Sequence, residues 1–101
     1  MQNTSFQTIT VQPIGSTTPT TLVKAAKHPM RAVVSNVGPT LIFIASTTTD
    51  LAPKPSTSTY RLFPGEQTVL VAAPKEGFFA VSAAVGGLLS VSISEALPVA
   101  L

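Results

Sequence analysis

A hydrolytic triad needs a nucleophile, a base and an acid that orients the base. This chain offers ten serines but one histidine, His28, and one aspartate, Asp50, and contains no Gly-x-Ser-x-Gly elbow. His28 stands immediately before Pro29 and reads as a turn residue. The four carboxylates, Asp50, Glu66, Glu76 and Glu95, fall in or near different turns or ends, so no spacing places two across one bond. There is no cysteine, which removes thiolate chemistry, disulfides and Cys-ligated zinc or iron–sulfur centres. The remaining metal-ligating side chains are too few and too scattered for a site. Gly86 and Gly87 lack the lysine and the following helix of a phosphate cradle. The expectation is a protein without enzymatic activity, cofactor or metal.

Binding chemistry has two starting points. Lys24, Lys27, His28 and Arg31 put four potentially cationic groups in eight positions. Such a cluster is either a solvated turn or a patch that meets the acidic face of a partner. A net charge of +2 releases few counterions on a polyphosphate, and no aromatic side chains interleave with the bases, so nucleic acid is not the expected partner. The chain has no tryptophan, and its single tyrosine, Tyr60, is the only sugar-stacking candidate of that kind, although hydroxyl-rich loops also bind sugars.

The elements that would position these groups are strands. Charged residues are 10% of the 101 positions and hydrophobic ones 45%, while fourteen threonines and ten serines supply most of the polarity. Hydroxyl side chains suit strand faces and tight loops better than helices. Turn signals recur about every ten residues from Pro29 onward, the spacing of an antiparallel sandwich or barrel. Strands are expected at 6–11, 20–25, 30–35, 40–45, 59–63, 68–73, 78–83 and 88–94. The predicted fold is all-β: a single antiparallel β-sandwich, jelly-roll-like or Ig-like, of about eight short strands. Asn36, Gly38, Pro39, Pro64, Gly65, Gly86 and Gly87 are the turn residues expected to set it.

Around residues 36–39 a hairpin is expected, with Gly38 at positive φ. Its second arm, Leu41, Ile42, Phe43 and Ile44, is apolar at consecutive positions, so both faces need cover, one from the core and one from another element or chain. Residues 46–58, with seven hydroxyls and two prolines, read as a long exposed loop. Residues 77–94 carry no formal charge, but Gly86 and Gly87 split them and the alternating end LSVSIS marks a strand, so no membrane span is expected. The first six residues show neither the basic nor the apolar region of a secretory signal, and cytoplasmic synthesis is expected. The chain divides into an N-terminal arm and first strand (1–19), a sandwich core (20–95) and an apolar tail (96–101). In that tail Leu97, Pro98, Val99 and Leu101 are candidate partner contacts, as are Lys24, Lys27, His28 and Arg31.

The segments RAVVSNVGPTLIFIAS and YRLFPGEQTVLVAAPKEGFFAVSA resemble the small β-sandwich structural proteins of tailed-phage virions. In those proteins a strand ending in Asn-x-Gly turns into an apolar strand, a variable loop follows, and a Leu-x-Pro-Gly-Glu turn leads to a strand and a late aromatic-Ala-Val-Ser strand. Asn36 and Gly38 match the first turn, and Phe79 to Ser82 the last strand. Leu62 to Glu66 approximate the second turn, with Phe63 placed before Pro64. The resemblance covers about half the chain and rests on turn chemistry and alternation. It implies a capsid decoration or cement protein, or a head accessory protein, located in the virion. The implied partners are the major capsid protein or other virion subunits, together with further copies of the chain. A tail or fibre accessory protein and a carbohydrate-binding or adhesion module are the alternatives.

Overall fold

The computed structural model describes residues 8–51 and 59–95. The tail residues Leu97, Pro98, Val99 and Leu101, the first seven residues of the arm and part of the 46–58 loop lie outside the described residues. Eight strands follow in order: β1 (Thr8–Ile14), β2 (Thr20–Val23), β3 (Met30–Asn36), β4 (Ile42–Ala45), β5 (Tyr60–Leu62), β6 (Gln67–Ala72), β7 (Phe78–Ser82) and β8 (Gly87–Glu95). They form two four-stranded sheets, ordered β1-β8-β3-β6 and β2-β7-β4-β5, and every pairing is antiparallel. No helix occurs among the described residues, and none is long and apolar enough to cross a membrane.

The pairings are nested. β4 pairs with β5, β3 with β6, β2 with β7 and β1 with β8, so the chain is one long hairpin bent at the segment between β4 and β5. Rolling that hairpin brings β8 against β3 and β7 against β4, closing the two sheets. This is the strand order of a jelly roll, and it decides between the two sandwich types the sequence leaves open. All connections between consecutive strands except β4–β5 cross from one sheet to the other.

Alternation places the core between the sheets. Ala32 and Val34 of β3 and Leu89 and Val91 of β8 face Ile42 and Ile44 of β4, Leu62 of β5, Ala80 of β7 and Leu22 of β2 across the gap, all buried. At consecutive apolar positions the second side chain points out: Phe43 lies opposite Ile42 and Ile44. Its cover comes from the chain itself. Phe43 lines a cavity of about 200 Å³ with Leu51 and Val81, and the Arg61 guanidinium carbon lies 5.9 Å from its ring centre. Leu51, expected in an exposed loop, is buried and held there by a turn in which its N–H donates to the Thr48 carbonyl at 3.1 Å.

Three expectations change in detail. Residues 36–39 do not form a hairpin: β3 and β4 belong to different sheets, and the turn between them is a corner. Gly38 is needed there for close approach and not for positive φ, since a Cβ would stand 2.8 Å from the Leu88 nitrogen. Positive φ occurs instead at Gly65 (87°) and Gly86 (99°). The first strand, expected to stop before Pro13, runs through it to Ile14. β1 is an edge strand, paired only with β8, so a residue without an N–H is tolerated at its unpaired side.

Candidate functional site

Asn36 organises one end of the sandwich. Its side chain is 2% exposed. The Nδ2 group donates to the carbonyls of Thr40 and Leu62, both at 2.8 Å, and Oδ1 accepts from the Gly38 N–H at 3.1 Å. Its backbone N–H donates to the Glu66 carbonyl and its own carbonyl accepts from the Gly65 N–H, each at 2.9 Å. The next residue, Val37, donates to the Leu88 carbonyl at 3.2 Å. The buried amide therefore ties the β3–β4 corner to the end of β5, and the backbone of Asn36 and Val37 ties it to the β5–β6 turn and the start of β8. An asparagine suits this position because it presents two donors and an acceptor in one plane.

The surface held by this hub is apolar. Val37, Phe63 and Val85 are exposed there, Val85 to 87%, and Pro39 and Pro64 are exposed beside them. Glu66 is the one charged residue in these connections, and its carboxylate accepts the Phe63 N–H at 2.8 Å.

A second apolar surface is the outer side of the β1-β8-β3-β6 sheet. Its register can be read as rows: Ile9, Ser92, Val33 and Val69 cross the four strands in one row, and Val11, Ser90, Ser35 and Gln67 in the next. In a third row Ser94, Arg31 and Val71 cross β8, β3 and β6. Exposed branched side chains thus line both edges, Ile9 at 70% and Val11 on one, Val69 and Val71 on the other, with serines down the centre. Arg31 is the only charged side chain in these rows. Three strand spacings by about six residues make a planar footprint of roughly 300 Å².

The cationic cluster lies at the opposite end from the Asn36 hub. Lys24, Lys27 and His28 are exposed in the connection from β2 to β3. The structure adds a cation that spacing does not reveal: the Lys75 N–H donates to the Ala26 carbonyl at 2.6 Å, which brings the β6–β7 turn against this connection. Tyr60 is exposed on the edge strand β5.

No family of proteins, curated protein or solved structure matches the chain. The surfaces themselves therefore carry the functional reading. Among the described residues no group of three His, Cys, Asp or Glu side chains could hold a metal ion. His28 and Asp50 are on separate connections: His28 follows β2, while Asp50 accepts the Thr47 hydroxyl at 2.9 Å in the turn after β4. Neither apolar surface is whole in one stretch of sequence, because each is assembled from residues far apart in the chain.

Proposed function

We propose that this chain is a non-enzymatic structural protein that docks on other protein subunits, as a capsid decoration or cement protein or a head accessory protein of a tailed-phage virion. One observation carries the reading. Of eight large hydrophobic side chains exposed among the described residues, all but Tyr60 fall on two surfaces, the Asn36-held loop end and the outer face of the β1-β8-β3-β6 sheet. Scattered exposed hydrophobics are ordinary, but grouped ones mark interaction sites; here the loop end gathers three, and the sheet face carries two on each edge with serines between them. A jelly roll serves both capsid and lectin domains, so the fold by itself does not choose between them. The resemblance of the Arg31–Ser46 and Tyr60–Ala83 segments to small virion proteins supports the first.

The areas favour many contacts over a single compact dimer. A standard interface takes about 800 Å² from each partner. The sheet face, at roughly 300 Å² in plan, supplies only part of that. A subunit that touches several neighbours in a shell can use the sheet face and the loop end together. Self-association is the accessible test: the purified chain is expected to associate with rising concentration in light scattering after size exclusion. A Val11→Asp/Val71→Asp double variant is expected to stay monomeric with its melting temperature little changed. A wild-type chain that remains a monomer at high concentration refutes the assembly reading. Mass spectrometry of purified particles from cells that encode the chain tests the virion assignment, and its absence from them counts against it.

A further inference from the structure

We infer that the cleft at the cationic end of the β2-β7-β4-β5 sheet is a binding site for an acidic sugar, a saccharide unit bearing a carboxylate. The cleft holds about 420 Å³, within the range of small-molecule sites. Phe79 and its cross-strand partner Thr21 lie along it on the outer side of β7 and β2. Lys24, which follows β2, and Lys75 in the β6–β7 turn both line it, and Ser46 and Thr47 line the side after β4.

The turn that carries Lys75 is held against β2 from two directions. Gly77 passes so close that a Cβ would stand 2.4 Å from the Val23 carbonyl oxygen. The Lys75 N–H bonds to the Ala26 carbonyl. Lys75 itself has φ of 69°, the only positive value at a non-glycine residue among those described. Left-handed backbone is unfavourable for a long side chain, and glycine or asparagine takes it far more readily. Strain of this kind concentrates at functional sites. Here it sets a lysine beside a cleft where a residue easier on the backbone would leave no charge.

The lining matches the ligand class. Two ammoniums can clamp one carboxylate through charge-assisted hydrogen bonds. The hydroxyls of Thr21 and Ser46 can donate and accept, the Thr47 hydroxyl, which donates to Asp50, can accept, and the Glu76 carboxylate accepts from sugar hydroxyls. The half-buried Phe79 ring offers an apolar surface to the C–H face of a sugar. An acidic peptide added along β2 fits less well: the strand has four residues and its register shifts between Thr21 and Val23, which disrupts the ladder such a peptide needs.

Titrating the isotope-labelled chain with glucuronate and with N-acetylneuraminate tests the site, with glucose as neutral control and hexaglutamate as acidic peptide. The acidic sugars are expected to move the amide signals of Lys24, Ser46, Thr47 and Lys75, less so at high salt, while glucose leaves them in place. Lys75→Asn is expected to weaken binding about tenfold, the scale of one charge-assisted contact, with the melting temperature unchanged or raised. Silence toward both acidic sugars, equal shifts with glucose, shifts with hexaglutamate alone, or full binding by Lys75→Asn would each overturn the inference. The site does not depend on the assembly reading, since Val11→Asp/Val71→Asp leaves the cleft untouched and should bind the sugars as wild type does.

Discussion

Replacing Asn36 by alanine removes three side-chain hydrogen bonds, to Thr40, Leu62 and Gly38. Each is worth about 1 kcal/mol net, and leaving the buried partners unsatisfied adds a further ~1–3 kcal/mol. The expected loss is therefore about 4–6 kcal/mol. A domain of this size has on the order of 5–15 kcal/mol in total, so the variant should be marginal, with its melting temperature lowered by tens of degrees. Asn36→Asp is the sharper probe because it keeps the shape. It sets a carboxylate oxygen where Nδ2 donates, facing two carbonyl oxygens at 2.8 Å. That environment disfavours the charged form and raises the carboxyl pKa above the ordinary Asp value of about 3.9. With the folded pKa above the unfolded one, the native state binds more protons between the two values, so stability falls as pH rises through that window. The Asn36→Asp chain should thus gain stability relative to wild type as the pH is lowered from neutral toward 4. Urea unfolding of both variants at several pH values measures this, with the m-value confirming that the unfolded reference is unchanged. A loss below about 1 kcal/mol for Asn36→Ala, within the reach of a single hydrogen bond, would refute the hub. So would an Asn36→Asp chain with no added pH slope.

Two further substitutions test the packing of the sandwich. A Cβ on Gly87 would stand 2.5 Å from Ser82 Oγ and 3.0 Å from Ile42 Cδ1, so Gly87→Ala should lose about 1–3 kcal/mol in denaturant unfolding; a neutral result would mean β8 can shift at its start. Leu51→Ala removes a buried side chain that lies outside the inter-sheet cluster, and about 2–3 kcal/mol should be lost. Hydrogen exchange should rise in the turn at 46–51 more than in the sheets, and uniform loss of protection would show that Leu51 belongs to the main core.

The strands were legible because their signals are local. Alternation in LSVSIS and the glycine and proline punctuation placed all eight within a few residues of the observed bounds. The largest miss is β1, where Pro13 read as a stop; a proline is compatible with a strand only at an edge, and edge position is a property of the finished sheet. The same limit explains the lost hairpin at 36–39. Turn residues report that the chain reverses, while whether the next strand joins the same sheet or the facing one is decided by the nested pairing of the whole chain.

The candidate surfaces depend on distant pairing to a greater degree. Lys75 joins Lys24 across some fifty residues because Gly77 and Ala26 dock one turn on another connection. The sheet face raises a subtler problem, since its local signal was present twice. Residues 42–44 and residues 69–71 are both consecutive apolar runs, and both imply a strand that is apolar on its two sides. In β4 the outer side chain, Phe43, lies with Leu51 and Val81 and below Arg61, so that run is satisfied within the chain. In β6 the outer side chains Val69 and Val71 remain exposed beside Val33 and Arg31 of β3. An apolar run therefore marks a demand for cover and leaves the source of the cover open. Where the chain supplies it, the run is core; where it does not, the run is evidence for a partner, and β6 rather than β4 is the strand on which the assembly reading stands.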